Sequence, residues 1–285
     1  MNYQWYPGHM TKARRMMQEN IKLIDLIIEL VDARIPVSSR NPDIDELGKN
    51  RSRVVLLNKA DLADPAHNKQ WIDHFKEQGV HVLEINSKTG AGLKGIQGIV
   101  QEACKEKLER DRKRGIVNRP IRAMVVGIPN VGKSTFINSF AGKACTKTGN
   151  KPGVTKGKQW IRLNKNLELL DTPGILWPRF EDQRVGMHLA FIGSMNDEII
   201  IMEELACDLL DCLGVLYPDA VKERYGVERK DSPEEMLEGI ARARGCLLKG
   251  ETPDLKKAAS ILLDDFRSGR LGRITIEHSA EERDQ

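Results

Sequence analysis

Six short, mostly apolar runs punctuate the first 170 positions of the chain, at 26–31, 54–57, 80–85, 121–126, 158–163 and 166–170. Runs of this length, bounded by turn residues, predict strands, and strands alternating with segments of helical spacing predict a largely parallel sheet. The helical segments include a basic amphipathic stretch at 11–22, with Met16, Met17 and Ile21 on its inner side, and a long helix at 93–114 whose end is crowded with charge. A further helix begins near Gly132, and a turn at Asn164-Lys165 joins the last two strands.

From about residue 178 the periodicity changes. Ile199, Met202, Leu205, Ala206, Leu209, Leu210 and Leu213 recur at helical spacing, and Leu255, Ala258, Ala259, Leu262 and Phe266 repeat the pattern. Ser232-Pro233 and Thr252-Pro253 each place a capping residue before a proline at a first helical position, and Glu235 completes a capping box with Ser232. The pattern predicts an α/β domain over 1–177, an all-α bundle of four or five helices over 178–276, and a frayed acidic tail over 277–285.

Length and composition agree with two domains in 285 residues. The net charge of only +4 does not by itself announce a nucleic-acid partner. Five cysteines without a CxxC pair argue against a disulfide framework or a zinc site and for buried, reduced thiols. The first 30 positions lack a signal-peptide pattern, and the apolar stretch 23–31 is interrupted by Asp25 and Glu29, so a cytoplasmic chain without a transmembrane segment is expected.

Chemistry enters through four short motifs. Gly127-Ile128-Pro129-Asn130-Val131-Gly132-Lys133-Ser134 lies between a predicted strand and a predicted helix, the context that a phosphate-binding loop requires. Its glycines let backbone N–H groups approach a phosphate, Lys133 reaches the β and γ oxygens, and Ser134 is placed to ligate Mg²⁺. Asn130, Val131, Gly132, Lys133, Ser134 and Thr135 are the candidate phosphate-side residues. Asp171-Thr172-Pro173-Gly174 ends the last strand, with Asp171 placed to hold magnesium through water and the Gly174 N–H to sense the γ-phosphate.

Asn58-Lys59-Ala60-Asp61 decides the base. The Asp61 carboxylate can accept both N1–H and N2–H of guanine, a donor pair that adenine lacks, while Asn58 reaches toward N7 and the Lys59 stem packs on the ring. Taken alone, the tetrapeptide reads equally well as a charged strand-to-helix loop. Asn86-Ser87-Lys88 fits a second base loop, with the Ser87 N–H facing the guanine O6.

Over residues 24–177 these motifs resemble the Ras-like GTPases, except that the base motifs precede the phosphate motifs. That order is a circular permutation. With Trp5-Tyr6-Pro7-Gly8-His9-Met10 and the helical C-terminal part, the chain looks most like the ribosome biogenesis GTPase A group. The resemblance implies a circularly permuted P-loop GTPase with a six-stranded, mostly parallel sheet, GTP and GDP as ligands with Mg²⁺, and action on the large ribosomal subunit. It also implies a protein that is monomeric away from the particle.

Two departures from the Ras pattern carry mechanism. Where a Ras-like enzyme has the glutamine that orients the attacking water, this chain has Ile175, so a low intrinsic rate is expected. His9 is the candidate replacement, brought in when a partner orders the N-terminal segment, and a tight Pro-Gly-His turn explains the residue equally well. Asn130 matches the asparagine that potassium-activated GTPases use to hold K⁺ against the phosphates, and the segment 151–155 supplies Thr155 as a second magnesium ligand.

Residues 105–122 carry eight Lys/Arg against three acids, and 143–158 carry five Lys and no acid, which suits contact with a phosphate backbone. A solvated helix face explains one such run; two of them beside a GTPase switch favour RNA, recognised by shape and phosphate in the absence of an aromatic-rich stacking motif, as rRNA in a particle presents it, and no DNA partner is expected. Arg242, Arg244, Lys256, Lys257, Arg267 and Arg270 form a second candidate patch. The readings left open are a large-subunit assembly factor, a GTPase serving another RNA or membrane process, and an RNA-binding module that uses GTP only as a structural ligand.

Overall fold

The computed structural model describes residues 8–116, 119–142, 159–177 and 180–278, with the side chains of His9 and Gln159 outside that description. The aromatic residues before Gly8, the run 143–158 and Thr155 within it therefore lie outside the described residues.

Six strands form one sheet in the order β3-β2-β1-β4-β6-β5. They are β1 (Leu26–Asp32), β2 (Ser52–Asn58), β3 (His81–Glu84), β4 (Ile121–Val126), β5 (Gln159–Asn164) and β6 (Leu167–Asp171). All neighbours pair in parallel except β5 with β6, a hairpin whose turn is fastened by the Asn166 N–H donating to Asn164 Oδ1 at 2.8 Å. Every residue of β1 is buried, as expected of a parallel strand with both faces covered. Glu29 in its middle is neutralised by Arg53 and Arg40.

The register does the essential positioning. Asp32 is the Cα partner of Asn58 across β1 and β2, and Asp171 is the partner of Val125 across β6 and β4. The carboxyl ends of β1, β2, β3, β4 and β6 thus converge on one edge of the sheet, where open α/β folds bind their ligands.

Around the sheet lie α1 (Gly8–Asn20), α2 (Pro42–Leu47), α3 (Pro65–Glu77), α4 (Ile96–Ala103), α5 (Lys105–Lys113) and α6 (Lys133–Ala141). The buried stripe of α1 is Met10, Ala13 and Met17, spaced for one face, whereas Met16 is only half-buried and Ile21 falls in a following 3₁₀ turn. The long helix expected at 93–114 breaks at Cys104, because α4 buries Ile96 and Val100 on the sheet while α5 has no buried residue to hold it in line.

The helical module comprises α7 (Gln183–Phe191), α8 (Met202–Leu216), α9 (Ala220–Tyr225), α10 (Pro233–Ala243) and α11 (Leu255–Arg267). Ser232 caps α10 as the sequence predicts, but α11 is capped by Asp254, which accepts from the Lys257 N–H at 3.0 Å; Thr252 and Pro253 instead belong to a short bridge with Leu247–Leu248. Ile199, expected on the apolar face of α8, precedes that helix and is half-exposed. One cluster of buried apolar side chains runs from Ile28, Val125 and Leu170 in the sheet through Ile175, Leu176 and Phe180 to Leu189, Leu209 and Leu262 in the helices.

After α11 the chain returns to the sheet edge. Ile274 N–H donates to Leu62 O at 3.0 Å and Ile276 N–H to Arg34 O at 2.9 Å. Glu277 is not the start of a frayed tail: it is buried, accepts from the N–H groups of Val37 and Ser38 and from the Ser38 hydroxyl, and pairs with His188 at 3.2 Å. Burial raises the cost of its charge, but His188 and Ser38 more than offset it and hold the carboxyl below the usual glutamate range.

Candidate functional site

The phosphate loop is shaped by two glycines that no other residue can replace without rearrangement. Gly127 has φ 153°, and a Cβ there would meet Leu30 O at 2.7 Å; Gly132 has φ 101°, and its Cβ would meet Asn58 Nδ2 at 2.5 Å. Asn130 itself adopts the left-handed conformation at φ 58°. Lys133 opens α6 and is buried, its Nζ donating to Gly127 O at 3.3 Å, so the ammonium curls over its own loop. Burial lowers its pKa to about 8, with Asp171 pulling the other way. Ser134 and Thr135 are half-buried in the first turn of α6, and Val131 is buried.

Asp171 faces this loop from the end of β6. Both carboxylate oxygens are buried with no hydrogen-bond partner among the described residues, and burial pushes the group up to about 6 against the pull of Lys133. A buried, unsatisfied carboxylate is costly unless a cation or water completes it, so the residues present fit a hard metal ion here. Gly174 lies against the loop: a Cβ would approach Pro129 Cα at 2.9 Å and Lys133 Nζ at 3.0 Å. Ile175, next in the chain, is buried with its N–H on Gly127 O at 3.4 Å; it is a core residue and cannot hold a water.

On the base side, Asn58 departs from the expected role. Its Oδ1 accepts from the Ser87 N–H at 3.0 Å and the Ser87 hydroxyl at 2.8 Å, and its Nδ2 donates to Val131 O at 2.8 Å. The amide therefore braces the phosphate loop, the Asn58 loop and the Ser87 loop together, leaving one N–H for a ligand. The Ser87 N–H, expected to face guanine O6, is spent on this brace. Asn86 is likewise internal, accepting from Lys88 N and Thr89 N at 2.9 and 3.0 Å. Lys88 and Asp61 stand exposed at the rim. Lys59 sits at φ 59° with its Nζ 2.9 Å from Asp32 Oδ2.

Several residues that sequence reasoning passed over complete the site. Asn130 Nδ2 donates to Gly193 O at 2.6 Å, and Ser194 Oγ donates to Pro129 O at 2.8 Å. The segment just after α7 thus clasps the phosphate loop from the helical module. Arg267 secures that segment, donating to Ala190 O at 2.8 Å and Phe191 O at 3.0 Å while pairing with Asp197. It is turned inward and leaves the basic patch in which it was expected, and Arg270 is paired with Asp265. No local pattern in the sequence signals these contacts, whose partners lie 63 to 77 positions apart.

Of the eight basic residues in 105–122, Lys107, Arg119 and Arg122 form ion pairs with acids, whereas Lys105, Arg110, Arg112, Lys113 and Arg114 stand exposed on or beside α5. Among the described cysteines, Cys104 and Cys246 are buried while Cys207 and Cys212 are half-exposed, so the expectation of uniformly buried thiols does not hold. No helix among the described residues is long and apolar enough to cross a membrane.

A parallel sheet with a phosphate loop after β4, an aspartate at the end of β6, and a guanine-type Asn-Lys-x-Asp loop after β2 defines a circularly permuted P-loop GTPase. The family described as 50S ribosome-binding GTPase matches residues 122–211. The chain is 49% identical over 283 residues to Ribosome biogenesis GTPase A of Priestia megaterium, covering 99% of this chain and 98% of that one. It is 32% identical to the protein of the same name from Thermotoga maritima, covering 96% and 93%. The GNP-bound crystal structure of YlqF from T. maritima superposes with a TM-score of 0.68 at 28% identity, covering 94% of this chain and 98% of that one. The chain belongs to the ribosome biogenesis GTPase A family, and it is a GTPase of ribosome biogenesis.

Proposed function

We propose that the chain is an assembly factor for the large ribosomal subunit, which binds the precursor particle and its rRNA with GTP and leaves after hydrolysis, in the cytoplasm. The observation that carries this reading is the clasp on the phosphate loop. The Asp171–Gly174 segment passes through the buried Ile175 and Leu176 into the helical module, and that module returns Gly193 and Ser194 to Asn130 and Pro129. A change at the γ-phosphate therefore reaches the helices both through the chain and through two hydrogen bonds. The exposed basic residues of α5 and Arg242, Arg244, Lys256 and Lys257 on the helices supply surfaces for an RNA backbone.

In this reading Asp61 accepts the guanine N1–H and N2–H, Lys59 lies along the ring, and the loops carrying Asn86 and Lys88 close the pocket. Lys133 lets go of its own loop carbonyls to neutralise the β- and γ-phosphate oxygens. Ser134, Asp171 and Thr155 would hold Mg²⁺, which would supply charge neutralisation at the transferring phosphoryl group. Asn130 contributes toward K⁺. Because Ile175 cannot orient water, hydrolysis waits for the particle, and His9 is assigned the missing role.

The test is steady-state GTP turnover alone, with large-subunit precursor and with small subunits. A slow basal rate raised at least tenfold by the large-subunit precursor alone is expected. Equal stimulation by both particles, or by neither, would overturn the assignment.

A further inference from the structure

Asp32 is fully buried at the carboxyl end of the central strand, directly beside Asn58 in register. Three groups converge on its two oxygens. Arg34 binds it bidentately, Nε to Oδ1 at 2.9 Å and NH2 to Oδ2 at 2.8 Å; Lys59 Nζ lies 2.9 Å from Oδ2; and the Arg34 N–H donates to Oδ1 at 3.1 Å. Arg34 has one arm left, and NH1 donates to Phe266 O at 3.2 Å and Arg267 O at 3.3 Å, the last carbonyls of α11, with the guanidinium over the Phe266 ring.

The charges explain why these parts belong together. One carboxylate facing two cations leaves an excess positive charge in a largely buried site, and the carboxyl end of a helix, with about half a negative charge, offsets it. Lys59, for its part, is held at a positive φ that a lysine adopts only when its surroundings compel it. The backbone strain and the side-chain anchor act on the same residue, the one assigned to the base in the function proposed above.

We propose that Asp32 and Arg34 are positioning residues of the nucleotide site: Asp32 sets Lys59 across the base pocket, and Arg34 makes that setting depend on the docked end of α11. Base binding is thereby tied to the placement of the helical module at a point separate from the phosphate-loop clasp. Arg267 joins the two points, since its carbonyl receives Arg34 while its side chain secures the segment that carries Gly193 and Ser194.

The inference rests on Lys59 contacting the base, and the test separates the two ideas. Dissociation constants of a fluorescent GDP would be measured for Asp32→Asn, Lys59→Met and the double variant, with melting temperatures alongside. Each single change is expected to weaken binding about tenfold, and the double variant should bind no worse than Lys59→Met, a coupling in the range found for contacting charged pairs. Losses that multiply would overturn the pairing, because a purely structural Asp32 would act independently of Lys59. Unchanged binding by Lys59→Met alone would instead remove Lys59 from the base. Arg34→Lys keeps the charge but cannot fork between Asp32 and the α11 carbonyls. It should weaken GDP binding several-fold in the parent and not in the Lys59→Met background; no effect in the parent would remove the link to α11.

Discussion

Ser194 offers the sharpest probe of the contact between the helical module and the phosphate loop. Its hydroxyl is fully buried and donates to the Pro129 carbonyl at 2.8 Å, and Pro129 is itself buried. Ser194→Ala removes one oxygen, leaves the Cβ in place and strands a buried acceptor. A lost donor of this kind costs about 2 kcal/mol, more than the net worth of a hydrogen bond because the acceptor cannot rehydrate. For a chain of this size that is roughly a 4–8 °C fall in melting temperature. The second consequence concerns the nucleotide. Pro129 and Asn130 form the turn of the phosphate loop, so a loop released from Ser194 must be ordered at the moment of binding, and about 0.5–1 kcal/mol of the cost should reappear as a several-fold weaker affinity for GDP. Thermal denaturation across a GDP titration reads both quantities, since a ligand stabilises in proportion to the logarithm of its occupancy ratio. A lower melting temperature with an unchanged GDP dissociation constant would refute the coupling and reduce Ser194 to a packing contact.

Three other outcomes follow from the same geometry. GTP turnover should be faster in K⁺ than in Na⁺, and Asn130→Ala should abolish the difference; equal rates for the parent would remove Asn130 from the chemistry. His9→Ala should leave the basal rate alone and lose stimulation by the particle, measured under conditions where binding to the particle is shown to be intact. Glu277 has a depressed pKa, so its contribution to stability is fully present above the ordinary value of 4.5 and is lost as pH falls toward its folded value. Glu277→Gln should therefore lower stability at neutral pH by about 2 kcal/mol and flatten the acid limb of a stability-against-pH profile, a limb that would stay unchanged if the buried carboxylate were not charged.

The architecture was legible because its signals are local. Each strand announced itself as a short apolar run, and each nucleotide loop as a motif a few residues long at a strand's end. Phosphate loop, aspartate and base loop fall at one edge of the sheet because parallel strands leave their carboxyl ends together. What the sequence hid depends on partners far along the chain. Asn58 looked free to touch the base, but its oxygen and one of its N–H groups are taken by Ser87 and by Val131, 73 positions away. Arg267 looked like a surface cation, yet its targets lie 76 and 77 positions back, at the end of α7. Glu277 looked like the start of a solvated tail, and it is instead an anion held by backbone N–H groups 239 and 240 positions earlier. In each case a polar residue of ordinary surface type is buried or half-buried because distant groups satisfy it, and no local pattern encodes that satisfaction.

In the function proposed here, the nucleotide state governs binding to the large-subunit precursor through the clasped phosphate loop. Sedimentation of the protein with large-subunit precursor particles, in a non-hydrolysable GTP analogue and in GDP at two salt concentrations, tests it directly. Co-sedimentation with the analogue, release with GDP, weakening at the higher salt, and no comparable binding to small subunits are expected. Equal binding in the analogue and GDP, or equal binding to both subunits, would contradict it.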